Sequence, residues 1–379
     1  MRKKICFVVA IPGTAQSFLR DHIAALAKEY DVYLVGAIKN ESEVKGLALA
    51  GWHRIEIERG ISIWHDIIAI FSARRYFTKM KFDAVHSVTP KAGLVTALDS
   101  WLAGIKHRIH IFTGQVWATR KGFMRWLLKT IDKVIVRLDN HILVDGKSQR
   151  AFLEKEGVIK AGQAIVFGEG SISGVNTQRF VPDANVREEI RKEIGIKEDA
   201  LVFLFMGRLN HDKGIGELYE AYDRLASESQ NVFLLLVGRD EEDYISRLPQ
   251  FSHINESNFY YYAPTPTPER VLNAGDVFVL PTYREGFGTS VLEAACMGLP
   301  SITSDAYGVL DASVEGETGL RCKVGDVESL YNCMKYLNDN REMVKVMGEK
   351  SKKRVLKDFP GERITEDWVV FYRSLLDKE

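Results

Sequence analysis

Short apolar runs separated by stretches of helical periodicity recur along the whole chain, and no other feature limits its possible folds so sharply. Ile5-Cys6-Phe7-Val8-Val9-Ala10-Ile11 reads as a strand, and Pro12-Gly13-Thr14 then turns the chain into a helix from about residue 16 to 28. Strands at 31–37, 83–87, 108–112 and 141–144 follow, alternating with helices from Trp64 through Phe77, at 91–103 and at 122–138. Strands that are apolar on both faces must be covered on both, which predicts a parallel sheet between helical layers. The pattern breaks at Gly168-Glu169-Gly170-Ser171-Ile172-Ser173-Gly174-Val175-Asn176 and then restarts. Helix 184–193, strand 201–206, a helix after Lys213 and strands 232–237, 258–262 and 277–280 follow, and Ser301-Ile302-Thr303 closes the set. The expected fold class is therefore α/β, with two doubly wound Rossmann-like domains facing a cleft. Residues 1–175 form one domain and 176–360 the other.

A chain of 379 residues, 46% of them hydrophobic, can bury a core of this size. Its 51 basic and 51 acidic residues cancel, which argues against nucleic acid as a partner. Cys6, Cys296, Cys322 and Cys333 follow no zinc or disulfide spacing and read as thiols in a reducing compartment. No run reaches the roughly 18 apolar residues of a membrane span. Arg2-Lys3-Lys4 leads straight into the first strand, so a cytoplasmic location is expected. Without Gly-x-Gly-x-x-Gly, a dinucleotide reading lacks its fingerprint.

Two loops carry the chemistry. After the strand ending at Leu280, Tyr283-Arg284-Glu285-Gly286-Phe287-Gly288-Thr289-Ser290 leads into a helix read from Leu292 to Met297 that carries Glu293. Glycines 286 and 288 allow close backbone approach, and the helix start offers N–H groups to an anion. After the strand ending at Met206 comes Gly207-Arg208-Leu209-Asn210-His211-Asp212-Lys213-Gly214, in which Arg208 can fork onto phosphate oxygens and Lys213 adds a point charge. Donors of that kind, aimed at developing charge, are worth a few kcal/mol each. Taken singly, Glu285 is a solvated loop carboxylate, Glu293 a helix-surface charge, and Arg208 with Lys213 a surface basic pair. Two such loops on one sheet edge instead suit a diphosphate lying between sets of hydroxyls.

These loops resemble the Glu-x7-Glu and Gly-Arg-Leu-x-x-x-Lys-Gly motifs of retaining glycosyltransferases of family 4, whose fold is GT-B. Gly174-Val175-Asn176, with Arg179-Phe180, is similar to the segment joining the two lobes in that family. The resemblance implies that the last helix, about 361–379, completes the first domain. It implies Arg208, Lys213 and Glu285 as the catalytic set, with Glu285 on the donor sugar and Glu293 on the ribose hydroxyls. It places Gly13, Thr14, Thr113, Gly207, Gly238, Gly286, Phe287, Gly288, Thr289 and Ser290 on the donor side. Tyr262-Ala263-Pro264 is expected to flank the base. Many members carry a histidine before a glycine where this chain has Thr113-Gly114, and His110 lies three residues earlier, inside the strand.

The segments from His86 to Gly93 and from Gln115 to Lys121 resemble parts of transferases that build bacterial surface polysaccharides. They give His86, Thr89, Lys91, Gln115 and Arg120 as acceptor-side residues; His110 is counted with them, although its place inside the strand reads as core or wall and Thr113 is the residue put in the site. Helix 122–138 mixes basic residues with an apolar stripe, which suits either an anionic membrane surface or a core face backed by a solvated basic face. The implied activity is metal-independent, retaining transfer of a hexose or N-acetylhexosamine from a nucleoside diphosphate sugar, UDP by family frequency. The implied acceptor is a lipid-linked oligosaccharide, the site is peripheral to the membrane, and no cofactor is needed. The rival reading is a UDP-N-acetylglucosamine 2-epimerase, which shares the architecture and needs no acceptor.

Overall fold

The computed structural model describes residues 2–55, 73–88 and 90–377. The chain divides into two units, one formed by Met1–Ser173 with Gly361–Glu379 and the other by Gly174–Pro360. In unit 1 the strands are β1 (Lys4–Val8), β2 (Asp31–Gly36), β3 (Gly51–Arg54), β4 (Ala84–Ser87), β5 (His107–Phe112), β6 (His141–Val144) and β7 (Ala164–Ile165). They form one parallel sheet in the order β3-β2-β1-β4-β5-β6-β7. Unit 2 contributes β8 (Leu201–Met206), β9 (Val232–Val237), β10 (Phe259–Tyr262), β11 (Val277–Leu280), β12 (Ser301–Ser304) and β13 (Gly319–Cys322). Their order, β10-β9-β8-β11-β12-β13, is again parallel throughout.

Each sheet runs outward from its first strand, reverses, and continues on the other side. In unit 2 the reversal lies between β8 and β11. Loops leave the carboxyl ends of those two strands at that point, the usual ligand position in such sheets. The register between them is pinned at the opposite end by Asp276, whose carboxylate accepts Val202 N at 2.8 Å and two guanidinium groups, from Arg187 and Arg191, at 2.5 and 2.6 Å.

Three strands depart from the expectation. β13 follows Ser301–Ser304, so that segment does not close the set. Gly319 opens β13, where a Cβ would stand 2.0 Å from Ser301 O. β3 is an edge strand with a half-buried and exposed alternation, and β7 spans two residues, so neither presents an apolar run. Of the helix expected from Trp64 to Phe77, only residues from 73 onward are described, and these are helical to 80.

The core of unit 1 depends on the helix Gly361–Leu376. Ile364, Trp368 and Tyr372 are fully buried on one face. The Trp368 ring lies flat between His22 and His86, at centroid separations of 4.7 and 5.0 Å, and its N–H donates to Ile172 O at 3.1 Å. In unit 2, β8, β9 and β11 are buried along almost their whole length. Asp183 and Asp326 cap the helices Ala184–Glu193 and Val327–Asp339 by accepting first-turn N–H groups. All four cysteines are free, with Cys6, Cys296 and Cys322 buried and Cys333 half-buried.

Candidate active site

Three glycines bring the loops of unit 2 together at the switch point. Gly238, at the end of β9, has φ +132°, and a Cβ there would meet Gly207 O at 1.9 Å. Gly214 has φ +71° and would meet Pro281 O at 2.2 Å, while Gly308, φ +84°, would meet Glu285 O at 2.4 Å. Only a residue without a side chain lets these backbones touch. Hydrogen bonds complete the lock: Gly207 N donates to Val237 O at 2.9 Å, Leu209 N to Arg239 O at 2.8 Å, and Tyr283 N to Asp212 O at 2.8 Å. The loops carrying Arg208 and Glu285 are therefore fixed against each other.

The charged side chains are paired across these loops. Lys213 Nζ donates to the Glu285 carboxylate, and their side chains are 16% and 15% exposed. Arg208 reaches Glu241 Oε2 at 3.1 Å, and Asn210 Nδ2 donates to the same oxygen at 2.9 Å. Arg284 places Nε and Nη2 on Asp212 Oδ2 at 3.0 and 2.6 Å. Tyr283 stacks on the His211 ring at 4.7 Å and donates its hydroxyl to Glu217. Burial, with the Glu217 carboxylate beside it, pushes the Tyr283 phenol up to about 12.

The helix at the loop's end spans Thr289–Cys296 and begins three residues before the expected Leu292, because Gly288 takes a left-handed N-cap, φ +88°. Thr289 and Ser290 therefore stand in the first turn, where N–H groups lack intrahelical acceptors. Glu293 follows about one turn later and is half-buried. Burial pushes its carboxyl up to about 7; Arg179 opposes that shift and Glu269 adds to it. Arg179 itself is held by Glu269 at 2.9 Å and Pro266 O at 2.6 Å.

Several expected site residues have other duties. Phe287 is 3% exposed and packs on Phe359 at 5.4 Å, so its side chain belongs to the core. In unit 1, His86 is fully buried, its Nδ1 2.8 Å from Tyr372 OH, which makes it a core residue. His110 is also fully buried, 2.7 Å from Ser87 Oγ, and burial lowers its imidazole to about 3. Gln115 is 1% exposed and meets Gln149. Thr113 is half-buried beyond β5, Arg120 is exposed, and Gly13 with Thr14 forms a short helical turn that runs into a π turn at Ala15–Leu19. Thr89 lies outside the described residues, and Lys91 is described only as part of the helix Pro90–Leu102.

Sequence reasoning missed the partners. Asp212 and Arg284 stand inside the two quoted motifs, but nothing in their spacing shows that they bond to each other. Glu241 sits in the acidic run Asp240-Glu241-Glu242-Asp243, which its composition alone marks as solvated surface.

Two parallel α/β units of this kind, with facing loops at the topological switch of the second, define the GT-B class. The fold agrees with HepE from Anabaena, solved in complex with UDP and glucose: the TM-score is 0.80 at 17% identity, covering 98% of this chain and 100% of that one. Residues 186–354 match the family described as "Glycosyl transferases group 1", and residues 13–169 match a "Glycosyl transferase 4-like domain". The capsular polysaccharide biosynthesis glycosyltransferase CapM of Staphylococcus aureus is 28% identical over 386 residues, covering 99% of this chain and 98% of CapM. UDP-Gal:alpha-D-GlcNAc-diphosphoundecaprenol alpha-1,3-galactosyltransferase of Escherichia coli is 23% identical over 79% of this chain and 78% of its own length. The chain belongs to the group 1, family 4 glycosyltransferases. It is a glycosyltransferase, and these matches set the epimerase reading aside.

Proposed function

We propose that this glycosyltransferase moves a hexose or N-acetylhexosamine from a UDP-sugar, with retention, to a lipid-linked glycan during assembly of a surface polysaccharide. The observation that carries the reading is the pairing of Lys213 with Glu285 across two loops locked at the switch point of unit 2, with Arg208 on the first of those loops. Arg208 and Lys213 take the diphosphate, Thr289 and Ser290 offer it first-turn N–H groups, Glu285 orients the sugar and Glu293 accepts from the ribose hydroxyls. As the sugar–phosphate bond stretches towards an oxocarbenium ion, negative charge grows on the leaving oxygen. The two cations meet that charge, and the departing phosphate takes the acceptor's proton. No metal ion is invoked. A UDP-sugar and a lipid diphosphate acceptor are named for the Escherichia coli relative, and UDP is bound by the Anabaena protein.

Helix Gly122–Leu138 of unit 1 supports the acceptor side of this reading. Arg125 and Lys129 bind Glu156 and lie over Trp117, so they are not free for lipid. Phe123 and Trp126, however, are 70% and 61% exposed, beside exposed Lys121, Lys133 and Arg137. Aromatic rings among cations suit reversible contact with anionic headgroups. Among the described residues no helix is long and apolar enough to cross a membrane.

Incubation with a panel of UDP- and GDP-sugars, with and without membrane lipid extract, tests the proposal. Nucleoside diphosphate release that needs both a UDP-sugar and lipid is expected, and Glu285→Ala should slow it roughly a hundredfold or more. Phe123→Ser with Trp126→Ser should weaken binding to phosphatidylglycerol vesicles without changing nucleotide binding. Conversion of the sugar without nucleotide release would overturn the reading.

A further inference from the structure

We propose that the Lys213–Glu285 ion pair is a specificity element that separates the intact sugar donor from the spent nucleoside diphosphate. The inference rests on the donor-site reading above and adds to it a role for the pair before any ligand arrives. The two groups now satisfy each other in a largely enclosed place, with 16% and 15% of their side chains exposed. Backbone motion cannot part them easily, because Gly214 lies against Pro281 O, Gly308 against Glu285 O, and Tyr283 N is bonded to Asp212 O. Only side-chain rotation opens the pair. An enclosed charge that loses its partner and gains none is strongly destabilising.

A sugar donor replaces both halves of the pair. Its diphosphate oxygens take Lys213, and a hydroxyl of its sugar donates to Glu285. The spent nucleoside diphosphate replaces only one: it draws Lys213 away and strands the Glu285 carboxylate. The pair therefore opposes the product and not the donor, and it speeds product release after transfer. The neighbouring Arg208–Glu241 pair has less of this character, because Arg208 is 53% exposed and water can compensate Glu241 when the arginine moves.

Titration calorimetry with UDP and with UDP-glucose, on the full chain, separates the possibilities. Glu285→Gln keeps the shape and removes the charge, so it should bind UDP about tenfold more tightly and gain nothing for UDP-glucose. In a Lys213→Gln background the same change should give no gain for UDP, because there is no pair left to break. Glu285→Asp, which draws the carboxylate back from the lysine, should shift UDP binding in the same direction and serves if the glutamine variant melts early. Unchanged or weaker UDP binding by both Glu285 variants would overturn the proposal. So would a gain that persists without Lys213, since that is plain repulsion. If the wild type binds neither ligand, the donor-site reading falls and this inference with it; if it binds both and the cycle shows no coupling, only this inference falls.

Discussion

Glu293 titrates where an enzyme works. Burial holds its carboxyl near pH 7, above its ordinary value of 4.5, so the protonated form dominates below that point. A protonated carboxyl has given up part of its capacity to accept hydrogen bonds, whereas the ionised form can take two hydroxyl donors. The donor KM should therefore fall as pH rises from about 6 to about 8, and Glu293→Gln should flatten the profile and raise KM. The sign for folding is opposite. A carboxyl whose folded value is raised binds its proton more tightly in the folded state, so its stabilising contribution is lost as pH rises from 4.5 through about 7. KM measured across pH for the two proteins, beside urea melts at the same values, checks both directions. At this scale the sequence disclosed which side chains the loops carry but not their partners. That Arg208, Lys213, Glu285 and Glu293 follow the ends of β8 and β11 was legible, because apolar runs mark those strand ends. Pairing with Glu241 or Asp212 depends on loops 33 and 72 residues away in the chain. His86 and Phe287 each lie within a motif while the side chain turns into a core, which motif spacing does not reveal.

Among the elements, the turns decide more than the strands do. Gly238 lets the loop after β9 cross Gly207 with no room for a methyl group. Gly238→Ala should destabilise unit 2 by roughly 2 kcal/mol or more, through a left-handed φ and a backbone collision together. It should also raise the donor KM, since Gly207 is the hinge on which Arg208 hangs; denaturant melts with donor kinetics measure both. Strands such as β8 and β9 were readable because burial on both faces requires unbroken apolar runs. β3 and β13 were not, since an edge strand needs no such run and Gly319 is in place for a close approach to Ser301. The helix Thr289–Cys296 starts early for a related reason. Gly288 supplies a left-handed cap that a count of helix-forming residues does not anticipate.

For the molecule as a whole, unit 1 is built from two separated pieces of chain. Trp368→Ala would leave a void between His22 and His86 and remove the bond to Ile172, costing about 3–5 kcal/mol. Unfolding followed separately in each unit should show unit 1 losing that stability while unit 2 keeps its midpoint. The doubled alternation and the break near residue 173 made the two halves visible in the sequence, and a last helix was expected at about 361–379. Its membership of unit 1 came from family resemblance, because a helical stripe does not name the sheet it covers.

That arrangement sets an order of events on the ribosome. Every residue of Gly174–Pro360 has been synthesised before the closing helix exists, so the half encoded later can finish folding first. The earlier half waits with Phe7, His22 and His86 uncovered until Gly361–Leu376 is made. A message cut short before the codon for Gly361 would yield a nascent chain whose second unit is sound and whose opening half stays exposed to chaperones and proteases.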